Sequence, residues 1–559
     1  MPRHETTNKN NSRAQLGEKA LAAIDVGSNA IRLQIVTVRS SGIVIDRESI
    51  REPVRLGHRV FLTGLLEEKE MDHAVSVLAA FRATMDRHGV ANSRCVATSA
   101  VREAQNRDLF VERVANVAGI DLEVISGAEE ARLLAIGMRR KVNLAKRKAL
   151  LVDIGGGSVE IAVVTKGATV LSQSHRLGAV RLSELFLEGA RPADEKRALI
   201  EEYLERMLRE QLREIKKRDP EILLSVGGNA ETIARIGGDV EDDKDSDAGS
   251  FVDAETLHNL TDRLLELTPA ERAKKYDLRP DRVDTIVPAA VMLNFLVERL
   301  NLRGFHAPGI GLRDGILAEL VDHAIGRFNQ SEADQSVVSE AERLGEHYHY
   351  DSAHAAKVRE LAFQIFDTLR SNHQIAAREA ELERTLLGVA ATIHDIGEFV
   401  GYAHHHKHAY YIISNSELGG VSAEDMRIIA TAVRYHRRAH PSDRHPEYTN
   451  LSREERKRVS RIAAILRLAD ALDREHRQKV ESLKITIRRN EMLLIPKATG
   501  DILLERWAVE SKGELFQQVF GLRLQFEGQP ESGSGERAHK PVAVTPASRK
   551  QQKNLQKHL

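Results

Sequence analysis

The sequence predicts an α/β fold of two similar domains facing each other across a cleft, followed by an all-α domain and a small β-rich C-terminal unit. Three observations predict it. Residues 20–325 alternate strand-like and helix-like patterns. A strand–Asp–x–Gly–strand pattern occurs twice, 128 residues apart, about one domain length. Beyond about Gly326, long helical periodicity replaces the alternation.

Taken in order, residues 1–19 are polar and expected to be disordered. Ala20–Asp25 is a small apolar strand, and Ile31–Val38 alternates with the period of a second one. Met71–His88 has helical spacing and Cys95–Ser99 is another short strand. Arg147–Asp153 repeats the opening strand, with Val159–Thr165 returning beside it. Ile222–Ser225 is an apolar strand leading to a helix at Glu231–Ile236. The expected domains are thus 20–140 and 141–325. Ser339–Leu369, Ala380–His394, Ala423–His436 and Arg453–Asp473 are long helical segments, which make 330–480 all-α. Alternation returns in Leu483-Lys-Ile-Thr-Ile-Arg, within a β-rich unit at 481–528. Residues 529–559 carry six Lys or Arg against two Glu and are read as a solvated, disordered tail.

Composition narrows the function. The 559 residues are 42% hydrophobic and 29% charged, as in a multidomain globular protein. Eighty-two basic and 82 acidic residues exclude a chain-wide field for polyanions, so no specific nucleic acid is expected as partner. A single cysteine, Cys95, excludes a disulfide framework and a cysteine metal cluster. The first 15 residues hold no apolar signal core. The most apolar run, Ile286–Val297, spans only 12 residues and contains Pro288 and Asn294, too short for a bilayer. A cytoplasmic protein without membrane partners is the expectation.

The repeated pattern carries chemistry. Asp25-Val-Gly27-Ser28-Asn29 and Asp153-Ile-Gly155-Gly156-Gly157-Ser158 each put a carboxylate at a strand end, followed by glycines. A carboxylate there can hold Mg²⁺, and glycine backbone lets N–H groups approach phosphate oxygens. Neither is a Walker A loop or a dinucleotide fingerprint, because a strand follows rather than a helix. A third loop, Gly227-Gly228-Asn229, precedes a helix whose terminal N–H groups suit an anion. Three such loops at strand ends agree on phosphate. Six basic residues among ten (Arg139, Arg140, Lys141, Lys146, Arg147, Lys148) precede the second Asp-Gly loop and could form a track for a polyanion.

These stretches resemble the exopolyphosphatase and guanosine pentaphosphate phosphohydrolase family, relatives of actin, sugar kinases and heat-shock ATPases. The likeness extends to Ala97-Thr-Ser-Ala-Val-Arg102-Glu-Ala, Ile125-Ser-Gly127-Ala-Glu129-Glu130-Ala-Arg132, Arg282–Pro288 and Gly311-Leu-Arg313-Asp-Gly315. It implies two facing actin-like (ribonuclease H-like) domains. It also implies Glu130 as the base that activates water, Asp153 holding Mg²⁺ with Glu160 and Asp25 as helpers, and Arg102 on phosphate. Asp25, Gly27, Ser28, Asn29, Gly155, Gly156, Gly157, Ser158, Gly227, Gly228 and Asn229 would complete the phosphate site. Glu129 would be a structural neighbour. Ala30 departs from the family, which usually offers a hydroxyl there. A monovalent cation and a homodimer are further implications.

In the helical region, His354, Ile393-His394-Asp395 and Leu468-Ala-Asp470 resemble the metal-binding series of HD phosphohydrolases. That likeness implies a transition metal on His354, His394, Asp395 and Asp470. His404-His-His-Lys-His408 and His436 offer ligands for a second ion. The stretch Arg434–Lys479 carries 13 Lys or Arg against 7 Asp or Glu, which suits polyanion binding. The reading is therefore an Mg²⁺-dependent exopolyphosphatase, with guanosine pentaphosphate as the alternative substrate. The Glu130 motif and the absence of a recognisable adenosine pocket speak against an ATP-dependent kinase or chaperone-like ATPase on the same fold. A polyphosphate- or RNA-binding protein with a dead site would not need Asp25, Glu130 and Asp153 together.

Overall fold

The computed structural model describes residues 18–189, 191–238 and 246–527. The segments expected to be disordered, 1–19 and 529–559, lie outside it except for Glu18 and Lys19, and Lys19 opens the first strand. The chain divides after Asn329 into two compact units.

The first unit holds two sheets. One contains β1 (Lys19–Val26), β2 (Ile31–Val38), β3 (Val44–Glu52), β4 (Asn92–Ala97) and β5 (Leu122–Val124), in the order β3-β2-β1-β4-β5. The other contains β6 (Lys148–Ile154), β7 (Val159–Thr165), β8 (Ala168–His175), β9 (Ile222–Val226), β10 (Ser250–Asp253) and β11 (Gly304–Ala307). Its order, β10-β11-β9-β6-β7-β8, repeats the first sheet and adds β10 antiparallel at the edge. In both, the Asp-bearing strand lies between an antiparallel and a parallel neighbour. This is the duplicated actin-like order.

Central strands are buried on both faces, as β1 (KALAAIDV) shows. Helix Glu68–Arg87 turns Met71, Ala74, Val75, Leu78 and Phe81, at helical spacing, onto the first sheet's core. The apolar run at Ile286 is the start of helix Ile286–Leu300, buried all round in the core of the second sheet. One boundary moves. Helix Leu312–Ala324 falls in the expected second domain, yet Leu312, Ile316, Leu317 and Val321 pack with Leu21, Ala23 and Val36 of the first sheet. The chain returns to its first lobe before leaving the unit.

In the second unit, the helical segment expected at Ser339–Leu369 is two helices, Gln330–His347 and Ser352–Ser371. His349 takes positive φ (53°) between them, and the Asp351 carboxylate caps the second helix by accepting from His354 N–H. Strands β12 (Val480–Arg488), β13 (Glu491–Ala498) and β14 (Arg523–Phe526) form the expected C-terminal sheet. It is not a separate body. Val480, Met492, Leu494 and Leu524, with Phe516 of the intervening helix Leu503–Phe520, share one core with the helices.

Candidate active site and a second cluster of histidines

The first site forms where the strand ends of the two sheets meet. The Asp153-Gly loop from β6 and the Asp25-Gly loop from β1 approach so closely that a Cβ on Gly156 would lie 2.6 Å from Ser28 Cβ. The third loop enters through Gly227, whose φ of 86° and ψ of 163° are backbone that side chains avoid. A Cβ there would sit 2.8 Å from Asp153 Oδ1. Glycine thus lets the third loop rest on the carboxylate. The pocket is lined by Asp25, Gly27, Ser28, Asn29, Glu130, Asp153, Gly155, Gly156, Gly227, Gly228 and Asn229, so most of the expected phosphate set is gathered in one place. Gly157, Ser158 and Arg102 stand behind it; Arg102 Nη2 lies 3.4 Å from Ser158 Oγ.

Ser126 Oγ caps helix Gly127–Lys141 by accepting from Glu129 N–H at 3.1 Å, which sets the two glutamates on the first turn. They then diverge. Glu129 is held by Arg132 and Arg94, whose guanidiniums keep its carboxyl below the usual range despite burial. Glu130 points to the pocket and meets Arg102 Nη1 at 3.2 Å. Arg102 therefore contacts the candidate base, and donates also to the Ile125 carbonyl.

Glu130, Asp153 and Glu160 bring carboxylate oxygens within 4.8 Å of one another. Burial, reinforced by Glu160, pushes Glu130 well above the usual carboxylate range. Burial and Glu130 push Asp153 up to about 8, and burial with Asp153 pushes Glu160 up to about 7. Glu160 Oε1 accepts from Ser174, but Oε2 is buried without a hydrogen-bond partner. Three hard oxygen donors with too little positive charge fit a divalent cation such as Mg²⁺.

Asp25 does not belong to that group. Its partner is Arg32, 2.9 Å away. The registers explain the difference: Arg32 lies opposite Asp25 across β1–β2, and Glu160 lies opposite Asp153 across β6–β7. The same position carries a guanidinium in one lobe and a carboxylate in the other. Asp25 is thus matched by a guanidinium, whereas Asp153 faces a second carboxylate.

Of the six basic residues read as a track, Arg140 pairs with Asp322, Arg147 with Asp247 and Lys148 with Asp219, and none of the six lines the pocket. The positive side is made by Arg32 and Arg282 instead. Arg282 donates to Asn229 Oδ1 at 3.0 Å, and burial beside Arg32 pushes it down to about 9. Arg51 joins through Asp281, whose backbone carbonyl accepts from Asn29 at 2.7 Å. Arg32 and Arg51 were missed by motif reasoning. Aligning the repeats would have exposed Arg32, seven residues after Asp25 as Glu160 is after Asp153.

In the second unit, His354, His394, Asp395 and Asp470 do converge. His394 Nε2 lies 3.3 Å from His354 Nε2 and 3.2 Å from Asp395 Oδ2, and His354 Nε2 lies 3.7 Å from Asp470 Oδ1. Of the His404–His408 run, His405 alone joins them, with His436. His476, not foreseen, stacks on the His354 ring at 3.6 Å between centroids.

Duplicated sheets of this order, closing on glycine loops and buried carboxylates, define the actin-like class of phosphoryl-handling proteins. Within it, the model described as the Ppx/GppA phosphatase family matches residues 36–324, just over half of the chain, and the model of that family's domain III matches 338–496. The chain belongs to the Ppx/GppA phosphatase family and is a hydrolase of phosphoanhydride bonds. It is 24% identical over 507 residues to the guanosine-5'-triphosphate,3'-diphosphate pyrophosphatase of Pseudoalteromonas atlantica, covering 89% of this chain and 96% of that protein. It is 25% identical over 322 residues to exopolyphosphatase 1 of Mycobacterium tuberculosis, covering 57% of this chain and 91% of that one. A solved exopolyphosphatase from Cytophaga hutchinsonii aligns with TM-score 0.50 and 26% identity, over 55% of this chain and 98% of that one. No helix among the described residues is long and apolar enough to cross a membrane.

Proposed function

We propose that the chain is an exopolyphosphatase that removes the terminal phosphate of inorganic polyphosphate in the cleft of the first unit. The observation that carries this is the cluster of Glu130, Asp153 and Glu160 among three glycine loops, faced by Arg32 and Arg282. Glu130 orients a water and takes its proton while the water oxygen attacks the terminal phosphorus. The bond from that phosphorus to the bridging oxygen breaks, and inorganic phosphate leaves a polymer one unit shorter. Asp153 and Glu160 would hold Mg²⁺, which when bound neutralises phosphoryl charge and lowers the proton affinity of the surrounding carboxylates. Arg282, held by Asn229, and the loop backbones bind the phosphates inward of the reacting one.

Guanosine pentaphosphate is the second reading of the same site, favoured by the Pseudoalteromonas relative, which matches along 89% of this chain and therefore along both units. Phosphate release from long polyphosphate, guanosine pentaphosphate and ATP, measured side by side with Mg²⁺, separates the readings. Release from ATP alone would reject both. A cytoplasmic homodimer belongs to the proposal, with light scattering as its check.

A further inference from the structure

Glu130 stands on the first turn of a helix shared by both lobes. Along Gly127–Lys141, Leu133 packs with Leu21, Ile316 and Val321 of the first lobe, while Leu134, Ala135 and Met138 pack with Ala149, Leu151 and Ala162 of the second. The two carboxylates that Glu130 faces, Asp153 and Glu160, belong to the paired strands β6 and β7 of the second sheet. Three acids gathered in one buried space repel one another. Asp153 and Glu160 are fixed in a sheet, so that repulsion bears on the helix end. The reach of the base is therefore decided by what holds the start of its helix.

Glu129, the preceding residue, closes a ring of four charged side chains. Its Oε2 accepts from Arg132 Nε at 2.7 Å, and its Oε1 accepts from Arg132 Nη2 at 2.8 Å and Arg94 Nη2 at 3.0 Å. Glu319 joins the same two arginines from the other side. Its Oε1 accepts from Arg132 Nη1 at 2.7 Å and its Oε2 from Arg94 Nη1 at 2.9 Å. Arg94 lies in β4 and Glu319 in helix Leu312–Ala324, so the ring ties the helix start to the first sheet. A close crossing of helices brings Glu319 there. A Cβ on Gly315, one turn before it, would lie 2.0 Å from the Leu133 carbonyl oxygen, and one on Gly137 would lie 3.0 Å from Gly315 N. Residues four apart share a helix face, so backbone contact at Gly315 sets Glu319 against Arg132.

We infer that Glu319 is a positioning residue for the hydrolysis: through Arg132, Arg94 and Glu129 it fixes the first turn of helix Gly127–Lys141 and holds the Glu130 carboxylate in the pocket. The inference rests on the reading of Glu130 as the base. Guanidinium forks are directional, so the ring sets the orientation of the turn as well as its charge. None of the four residues lines the pocket. Loosening the ring should therefore act on turnover and leave substrate binding in place. In Glu319→Gln, the amide would turn N–H groups toward a guanidinium that has only donors, which opens the ring on one side.

The test measures Mg²⁺-dependent phosphate release by the full chain, on whichever of polyphosphate and guanosine pentaphosphate the wild-type protein hydrolyses, with rates normalised to folded protein by circular dichroism. Glu319→Gln should lower kcat roughly 10–10²-fold while KM changes less than about threefold. Arg132→Lys keeps the charge but loses the fork, and should act in the same direction; it serves where Glu319→Gln does not fold. In the Glu130→Gln background, neither substitution should lower the residual rate further, because the group they position is gone. Losses that instead add to that of Glu130→Gln would mean a general structural role and would overturn the inference. So would wild-type kcat in both ring variants, or a rise in KM alone. Wild-type turnover in Glu130→Gln itself would reject the base, and the positioning role with it. Loss of turnover in Glu130→Gln beside intact turnover in the ring variants would reject the positioning role alone.

Discussion

At the scale of single residues, the proposed roles of Glu130 as base and Asp153 as cation holder can be separated by substitution. Glu130→Gln keeps shape and hydrogen bonding but cannot take a proton. Turnover should fall ~10²–10⁴-fold with substrate binding largely intact. Steady-state phosphate release and equilibrium binding check the two halves of that statement; wild-type turnover in folded Gln protein would remove Glu130 from the role. Asp153→Asn should instead move the Mg²⁺ titration midpoint upward as well as lower the rate, since an amide cannot supply the lost charge. An unmoved midpoint would reassign the ion. The raised pKa values of Asp153 and Glu160, about 8 and about 7, give a pH signature. Between the ordinary carboxylate range and those values, the folded metal-free protein holds more protons than the unfolded chain. Its stability therefore falls as pH rises through that window. Mg²⁺ opposes the fall, so the rise in Tm on adding Mg²⁺ should be larger at pH 8 than at pH 6.

At the scale of elements, the loops were legible because their chemistry is local. A strand, an acid, glycines and a returning strand lie in one short run, and Val159–Thr165 was read with its true bounds. The edge strands β3 and β8 were not legible. Their side chains are half-buried or exposed, so no strong apolar alternation marks them. Strands β10 and β11 have only four residues each. Arg282 and the helix Leu312–Ala324 reach the site or the first lobe from far along the chain, a consequence of topology that no local pattern reports. The expected helix at Glu231–Ile236 begins three residues earlier, at Gly228, because Gly228, Asn229 and Ala230 already belong to its first turn, with Gly227 as the residue before it. That placement has a cost for substitution. Gly227→Ala should destabilise the protein by ~1–3 kcal/mol, since that backbone region is essentially glycine's own. It should also weaken Mg²⁺ binding, because the new methyl would press on Asp153 Oδ1. Urea melts and an Mg²⁺ titration measure both, and a variant with unchanged stability would show that the loop relaxes freely.

At the scale of the whole molecule, every group assigned to phosphoanhydride hydrolysis lies before Asn329, where the two units divide. The Cytophaga relative is matched over 98% of its length by only 55% of this chain. A chain ending at Asn329 should therefore fold and release phosphate. It should handle long polymers less well than short ones, because the basic stretch Arg434–Lys479 is removed. Part of that stretch is committed to internal pairs, Arg434 to Glu447 and Lys479 to Glu475. Arg453, Arg456 and Lys457 line an open hollow. The ratio of long-chain to short-chain activity at two salt concentrations is the measurement, and the full chain should show the steeper salt dependence. An equal ratio in both proteins would assign the hollow some other role.

The exchange of Arg32 for Glu160 at matching positions of the two lobes has a kinetic consequence. A guanidinium is covalently part of the chain and survives every cycle. An ion held between carboxylates equilibrates with the surrounding pool. One half of the cleft therefore grips its anion at constant strength, while the other half is only as active as the free divalent concentration allows. Starvation for the cation should leave such an enzyme loaded with polymer and idle, protecting the chain end it holds from competing enzymes until the ion returns.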